Sequence, residues 1–236
     1  MRLTTWNCCA GPLSKKLPAL ASLRADIAVV PESPFLASVP GRAYWFGENP
    51  RRGLAVLARA PYRVEPVRPP APLPRYVVPL QVVGPVSFLL LAVWAKGDRP
   101  HRYVRGVVQA VRLCQRLIAA QPTVAIGDFN SNTFWDAQGP VDQNHSALVR
   151  QLEAHGLVSA YHAHSGQAHG SETAHTYFQY RHADEPYHID YGFVPASWLR
   201  YLSSVSLGSI RKWRALSDHV PLTLAFTGLA GRGTAP

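Results

Sequence analysis

The sequence predicts an α/β protein with strands at its centre and helices outside, and three observations carry that reading. Short strand-like runs recur, each followed by an isolated polar residue: Leu3–Trp6 precedes Asn7, Ile27–Val30 precedes Glu32, and Thr123–Ile126 precedes Asp128. Apolar runs of this length, bounded by Gly or Pro, read as strands buried on both faces. The segment His101–Ala120 instead carries a helical period. Val104, Val107, Val108, Val111, Cys114, Leu117 and Ile118 share one face, while Arg105, Gln109, Arg112 and Arg116 share another. Finally, the stretch Gly53–Val93 is strand-rich with no helical pattern, which disfavours a single doubly wound sheet of alternating strands and helices.

In order along the chain, Leu3–Trp6 opens as a short strand. Ser14 is placed to cap a helix through about Arg24, with Leu17, Leu20 and Leu23 on its apolar side. Pro18 then falls in the first turn, where a missing amide matters little. Ile27–Val30 is a second buried strand. Gly53–Arg59 and Arg75–Val83 are strands separated by the proline-rich segment Pro61–Pro74, and Pro79 predicts an edge or bulged strand. Gly84-Pro85 turns the chain into a hairpin partner, Val86–Val93. After the long helix and the strand Thr123–Ile126 comes a shorter helix, Asn144–His155, ended by Gly156. His162–Glu185 is polar and histidine-rich and reads as a loop around one short strand, Thr176–Gln179. His188–Val194 and Val220–Phe226 are the closing strands. Residues 1–228 are expected to form one domain, and 229–236, made of small residues, an unstructured tail.

At 236 residues the chain supports a full core, and 47% apolar composition excludes a disordered protein. The formal net charge of +10 suggests a polyanion as substrate or partner, although a generally basic protein carries the same charge. Cys8, Cys9 and Cys114 make neither a disulfide framework nor a CxxC pair, which fits a reducing compartment. The first residues lack the apolar run of a secretory signal, and the longest apolar run, Val86–Ala95, is too short to span a bilayer. The expected location is cytoplasmic.

Asn7, Glu32, Asp128, Asn130, Asp190 and Asp218 each follow or begin a predicted strand, with His188 and His219 nearby. Carboxylate and amide oxygens are hard ligands that suit Mg²⁺ or Mn²⁺. A His–Asp pair orients an imidazole toward phosphate, and a carboxylate such as Asp128 activates water. Singly, each residue also reads as an Asx-type turn or a structural hydrogen bond, and spacing alone does not bring them together.

The motifs "TWN" (Thr5–Asn7), "PE" (Pro31-Glu32), "GDFNS" (Gly127–Ser131), "HIDYGFV" (His188–Val194) and "SDH" (Ser217–His219), taken in this order across almost the whole chain, resemble the endonuclease/exonuclease/phosphatase superfamily. The resemblance implies a four-layer α/β sandwich, two packed mixed β-sheets flanked by helices, and Mg²⁺- or Mn²⁺-dependent phosphoester hydrolysis. By similarity Glu32 is the principal metal carboxylate, with Asn7 and Asp218 close to the metal. Asp128 positions or deprotonates the attacking water, Asn130 holds phosphate or that water, and His219 contacts the phosphate, oriented by Asp190.

The chain departs from the family pattern in two places. Cys9 stands where abasic-site enzymes usually carry Asp, and Trp94 stands where a His or Tyr commonly meets the phosphate. An indole donates one hydrogen bond but moves no proton. Candidate substrate contacts are therefore Trp94, the basic and aromatic run Arg211, Lys212, Trp213 and Arg214 just before Asp218, Tyr177, and His188. Tyr177, Phe178 and Tyr180, together with Trp135 and Trp213, are read as stacking surfaces for bases, although alternating aromatic residues also describe an ordinary half-buried strand. The expected substrate is a nucleic acid phosphodiester, the alternative a small-molecule or lipid-headgroup phosphoester. A third possibility is a nucleic-acid-binding protein without catalysis.

Overall fold

The computed structural model describes residues 1–97 and 99–229; beyond Leu229, the tail expected over 229–236 lies outside them. The chain begins with β1 (Arg2–Thr5), α1 (Leu13–Ser22), β2 (Ile27–Ser33), β3 (Ala43–Asn49) and β4 (Arg52–Ala58). A second run follows: β5 (Arg63–Pro66), β6 (Val77–Val83), β7 (Phe88–Trp94), α2 (Val104–Ala120) and β8 (Thr123–Asp128). Next come α3 (His145–Ala154), β9 (Leu157–Ser159), α4 (Ala160–Ser165), the small ribbon β10 (Tyr177–Phe178) and β11 (Pro186–Tyr187), and β12 (Asp190–Pro195). The chain closes with β13 (Leu202–Leu207), α5 (Ile210–Trp213) and β14 (Leu222–Phe226).

These strands make two six-stranded mixed sheets, in the orders β13-β14-β1-β2-β4-β3 and β5-β6-β7-β8-β12-β9. Strand β7 explains why they stack. All seven of its residues are buried, and side chains alternate across a strand. Leu90, Ala92 and Trp94 enter the core between the sheets, where they meet Leu3, Val29, Val56 and Leu224 of the other sheet. Leu89, Leu91 and Val93 face the opposite way, onto Val107, Val108, Val111, Cys114 and Ile118 of α2. The helix stripe read from the sequence is thus the stripe that docks. On the far side, α1 and α5 cover the first sheet through Leu20 and Trp213, which join Trp6, Ala28, Val30 and Ala55. The result is an α/β sandwich of two mixed sheets flanked by helices.

Several boundaries differ from the sequence reading. Helix α1 begins at Leu13 after Pro12, which makes no side-chain cap; Ser14 lies inside the helix and Pro18 in its second turn. Strand β6 is not an edge, because β5 pairs beyond it. Pro79 is tolerated because the β5 pairing ends at Pro66↔Leu80, leaving only a bond from Val67 N to Pro79 O. The proline-rich segment between the expected strands contains β5, and the histidine-rich segment begins inside α4.

Candidate active site

Register brings the polar strand ends together. Strand β2 runs parallel to β1, and β14 antiparallel to it, so Asn7, Glu32 and the Ser217–His219 turn lie at one end of the first sheet. In the second sheet, β12 is antiparallel to β8 with Asp190 directly opposite Asp128. Gly127 makes the approach of β7 and β8 possible. Its φ is +152°, and a Cβ there would lie 1.9 Å from the Val93 carbonyl oxygen.

The two sheets are joined at this end by Asn7, whose Nδ2 donates to Asp128 Oδ2 at 2.9 Å. The same carboxylate accepts from Asn130 N (2.9 Å) and Asn130 Nδ2 (3.0 Å). An ionised carboxylate only accepts, so both amides turn their nitrogens toward it. The Asn130 amide nitrogen is also bonded to Ala95 O, which leaves the Asn130 amide oxygen as its free group. Buried Lys16 ties the loops beneath, donating to Cys8 O at 2.6 Å and to Leu216 O, while Ser217 Oγ donates to Asn7 O at 2.7 Å.

His219 Nδ1 lies 2.8 Å from Asp190 Oδ2, and Asp128, Asp190 and His219 present ligand atoms within 4.8 Å of one another. All three are buried. Burial pushes the Asp128 carboxyl up to about 7, reinforced by the charge of Asp190. For His219, burial acts downward, but the Asp190 carboxylate and its hydrogen bond outweigh it, raising the imidazole to about 9. A poised base beside a charged imidazole is a pairing suited to proton transfer and anion stabilisation.

Glu32 sits at the end of β2 with φ of +55°, a left-handed kink that stores strain at this position. Its carboxylate is 19% exposed, and Oε2 lies 3.3 Å from Arg52 Nε. Asp218 is half-buried. The Cys9 thiol is raised by burial first, then by the charges of Asp218 and Glu32, so both carboxylates face the same loop. Glu32, Asp218 and the Asn7 amide oxygen, which accepts from Cys9 N at 3.0 Å, are the oxygen donors beside this loop that could hold a divalent cation. A buried oxygen, Asp190 Oδ1, also has no hydrogen-bond partner.

Other sequence candidates lie differently. His188 is buried away from this cluster: its Nδ1 is 2.8 Å from Ala174 O, and its ring lies against Tyr161 and Tyr191. It is 1% exposed and packs behind the site, against these two rings. Trp213 is also buried, edge-to-face on Trp6 at 4.8 Å, so it forms the wall behind Asn7 rather than a stacking face. Around it, Arg211, Lys212 and Arg214 are exposed. Trp94 is 2% exposed and stacks on Tyr76 at 4.7 Å, a core aromatic beneath the site. Tyr177 does reach the cluster, with its ring 4.7 Å from that of His219.

Two features go beyond the sequence reading, which named only Tyr177 and Trp135 among their residues. A cleft of about 600 Å³ adjoins Glu32 and is lined by Ala10, Arg51, Arg52, Arg75, Tyr76 and Lys96 among others. Its basic residues come from three separated segments, so no single run announced it. A row of rings also leads outward from His219 through Tyr177, Tyr187, Trp135 and the exposed Phe134.

The sequence matches no family model and no curated protein. The three-dimensional arrangement is similar to that of 3′ phosphatase NExo from Neisseria bound to product DNA hairpin, with a TM-score of 0.68 at 20% identity, covering 96% of this chain and 99% of that one. An AP endonuclease from Archaeoglobus fulgidus is similar with a TM-score of 0.66 at 17% identity, over 96% and 99% of the two chains. An endonuclease/exonuclease/phosphatase from Beutenbergia cavernae aligns with a TM-score of 0.63 at 16% identity, over 95% of this chain and 70% of that one.

The chain shares the fold of these three proteins. Within that fold, the ends of β1, β2 and β8 and the starts of β12 and β14 carry the polar cluster described above. Among the described residues, no helix is long and apolar enough to cross a membrane.

Proposed function

We propose that this chain is a divalent-metal-dependent hydrolase acting on phosphoester bonds of nucleic acid. The observation that carries the reading is the buried Asp128–Asp190–His219 cluster, joined across the two sheets by Asn7. In this reading Asp128 takes a proton from the attacking water, and the Asn130 amide oxygen orients that water. Its elevated pKa, about 7, matches a base that works near neutrality. His219, held charged by Asp190, presents Nε2 to a phosphate oxygen and stabilises the negative charge that builds there. Tyr177, whose phenol burial pushes up to about 12, remains a proton donor beside it.

Glu32, Asp218 and the Asn7 amide oxygen would hold Mg²⁺ or Mn²⁺, which supplies charge neutralisation for phosphate and for the leaving oxygen. The nucleic acid assignment is supported by the basic cleft at Arg51, Arg52, Arg75 and Lys96 and by the aromatic row starting at Tyr177. The first would follow a phosphate backbone and the second would stack bases. The similar structures described as a 3′ phosphatase with product DNA and as an AP endonuclease agree with that class of substrate.

The reading is tested by offering purified protein with Mg²⁺ or Mn²⁺ a panel of single- and double-stranded DNA, an abasic duplex, 3′-phosphorylated DNA, RNA, inositol phosphates and sphingomyelin. Turnover of at least one polynucleotide, absent with EDTA, supports it. Turnover confined to the small phosphoesters or the lipid overturns the nucleic acid assignment and keeps the hydrolase. Tight nucleic acid binding with no turnover of any substrate overturns catalysis.

A further inference from the structure

Behind the loop that carries Asn130, four imidazoles and one carboxylate converge from five places in the chain. They are His145 at the start of α3, His162 in α4, His169 and Glu172 in the loop that follows, and His188 just before β12. Ligand atoms of His162, His169 and Glu172 lie within 4.8 Å of one another. His162 Nε2 is 3.0 Å from Glu172 Oε1, and His145 Nε2 is 3.1 Å from His169 Nδ1. The His162 and His169 rings stack with centres 3.6 Å apart. The side chains of His162 and Glu172 are 9% and 5% exposed, so the cluster is largely shut off from water.

Two details distinguish it from an ordinary polar pocket. Three of the histidines are anchored through Nδ1: His145 to Ser131 Oγ at 2.9 Å, His162 to Ser159 Oγ at 2.7 Å, and His188 to Ala174 O at 2.8 Å. Only His188 is left with an unclaimed Nε2; His162 Nε2 is turned to the Glu172 carboxylate and His145 Nε2 to His169, so these anchors orient the rings and an ion would displace the proton that His162 shares with Glu172. Moreover, His188 Nε2 is buried with no hydrogen-bond partner. Since Nδ1 must donate to the Ala174 carbonyl, a neutral His188 keeps a bare lone pair on Nε2, a costly state for a buried acceptor. Its ring centre is 5.9 Å from that of His162.

We propose that this cluster is a zinc site, with His162, His169 and Glu172 as ligands and the partnerless His188 Nε2, which lies outside that group of three, closing in as the fourth when the ion binds. Neutral imidazoles with a single carboxylate suit Zn²⁺, whereas Mg²⁺ and Mn²⁺ prefer the oxygen donors of the active site. The surroundings favour neutral imidazole: His145 and His188 are buried, with their rings against Tyr191 and, for His188, Tyr161. The site is structural. Asn132 Nδ2 donates to Glu172 Oε1 and to His188 O, and Tyr191 OH to Ser131 O, so an ion there clamps the 159–188 segment onto the loop bearing Asn130 and the start of β12 bearing Asp190.

The test uses the full chain, stripped of metal and dialysed, then titrated with Zn²⁺ and, for a spectroscopic signature, with Co²⁺. The expected result is one equivalent of tightly held ion and a Co²⁺ visible spectrum of tetrahedral type. Both should persist in a Glu32→Gln/Asp218→Asn variant and be lost in His169→Ala and in the conservative Glu172→Gln. Ser159→Ala, which removes only the partner of His162, should weaken affinity about 10- to 100-fold. Far-UV circular dichroism separates lost binding from lost folding, and the wild-type stoichiometry stands whether or not a variant folds. Absence of tight Zn²⁺ and Co²⁺ binding by the wild type overturns the proposal. So does binding that survives in Glu172→Gln and His169→Ala, or that disappears in the Glu32→Gln/Asp218→Asn variant.

Discussion

His219 Nδ1 lies 2.8 Å from Asp190 Oδ2, while the other oxygen of the same buried carboxylate has no hydrogen-bond partner. One contact therefore fixes the ring and supplies most of what holds it charged. Replacing either residue by Ala should lower kcat by about 10²–10³-fold with little change in KM, as for loss of a preorganised donor. The double variant should be clearly less than additive, because the two act as a unit. Steady-state kinetics on the four proteins checks this; fully additive losses would mean the residues act separately.

Asn7 joins the sheets and helps keep Asp128 ionised, since its hydrogen bond lowers the Asp128 pKa against the larger effect of burial. A base acts when deprotonated, so activity should rise with pH through the Asp128 pKa, about 7 in the metal-free protein. It should then fall as His219 loses its proton, near about 9. A bound cation draws both limbs to lower pH without changing their order. Asn7→Ala should move the rising limb upward and leave the falling limb in place. A pH–rate profile in which that limb does not move would count against the role of Asn7.

The basic cleft and the exposed α5 residues make opposing predictions about grip on nucleic acid. Arg51→Ala and Arg75→Ala should weaken binding and flatten its salt dependence, by about 0.9 in slope for each duplex phosphate no longer neutralised. Arg211→Ala and Arg214→Ala should do so less. Fluorescence anisotropy over a salt series distinguishes them, and the reverse ranking would restore the α5 run as the principal grip on phosphate.

Acid should destabilise the metal-free fold through the histidine cluster. His145, His169 and His188 are lowered by burial to about 3, 4 and 4, against roughly 6.5 in an unfolded chain. Below about pH 6.5 the unfolded state takes up protons that the folded state refuses, so stability falls as pH drops toward the folded values. Glu172, lowered to about 2 by its hydrogen bonds despite the opposing effect of burial, adds a loss at still lower pH. Urea midpoints of EDTA-stripped protein should be distinctly lower near about pH 5 than near about pH 7.5. Equal midpoints would show that these rings are not buried neutral.

Elements with a strong periodic signal were legible in the sequence: β7 and β8 as apolar runs, α2 as a stripe from Val107 to Ile118. The strands β3 and β13 were missed because they are half-buried, and LSSVSL in β13 offers polar residues on both faces. At the site, strand-end residues were readable because their place in the chain signals them. What they touch was not. Trp213 and its neighbours share one short run, yet the turn of α5 sends the indole inward and Arg211 and Lys212 outward. The cleft arginines and the five cluster residues meet only through tertiary structure, so their spacing along the chain carried no information about their distances.

The most direct test of the account is the single-turnover rate of phosphoester cleavage in the best polynucleotide substrate by the wild type and Asp128→Asn, prepared in parallel, with Mg²⁺ or Mn²⁺ and with EDTA. The wild type should cleave only with metal, and Asp128→Asn should be slower by about 10²–10⁴-fold, the range for loss of a positioned base. Equal rates in the two proteins, or cleavage that continues in EDTA, would contradict the assignment of the Asp128–Asp190–His219 cluster as the hydrolytic centre.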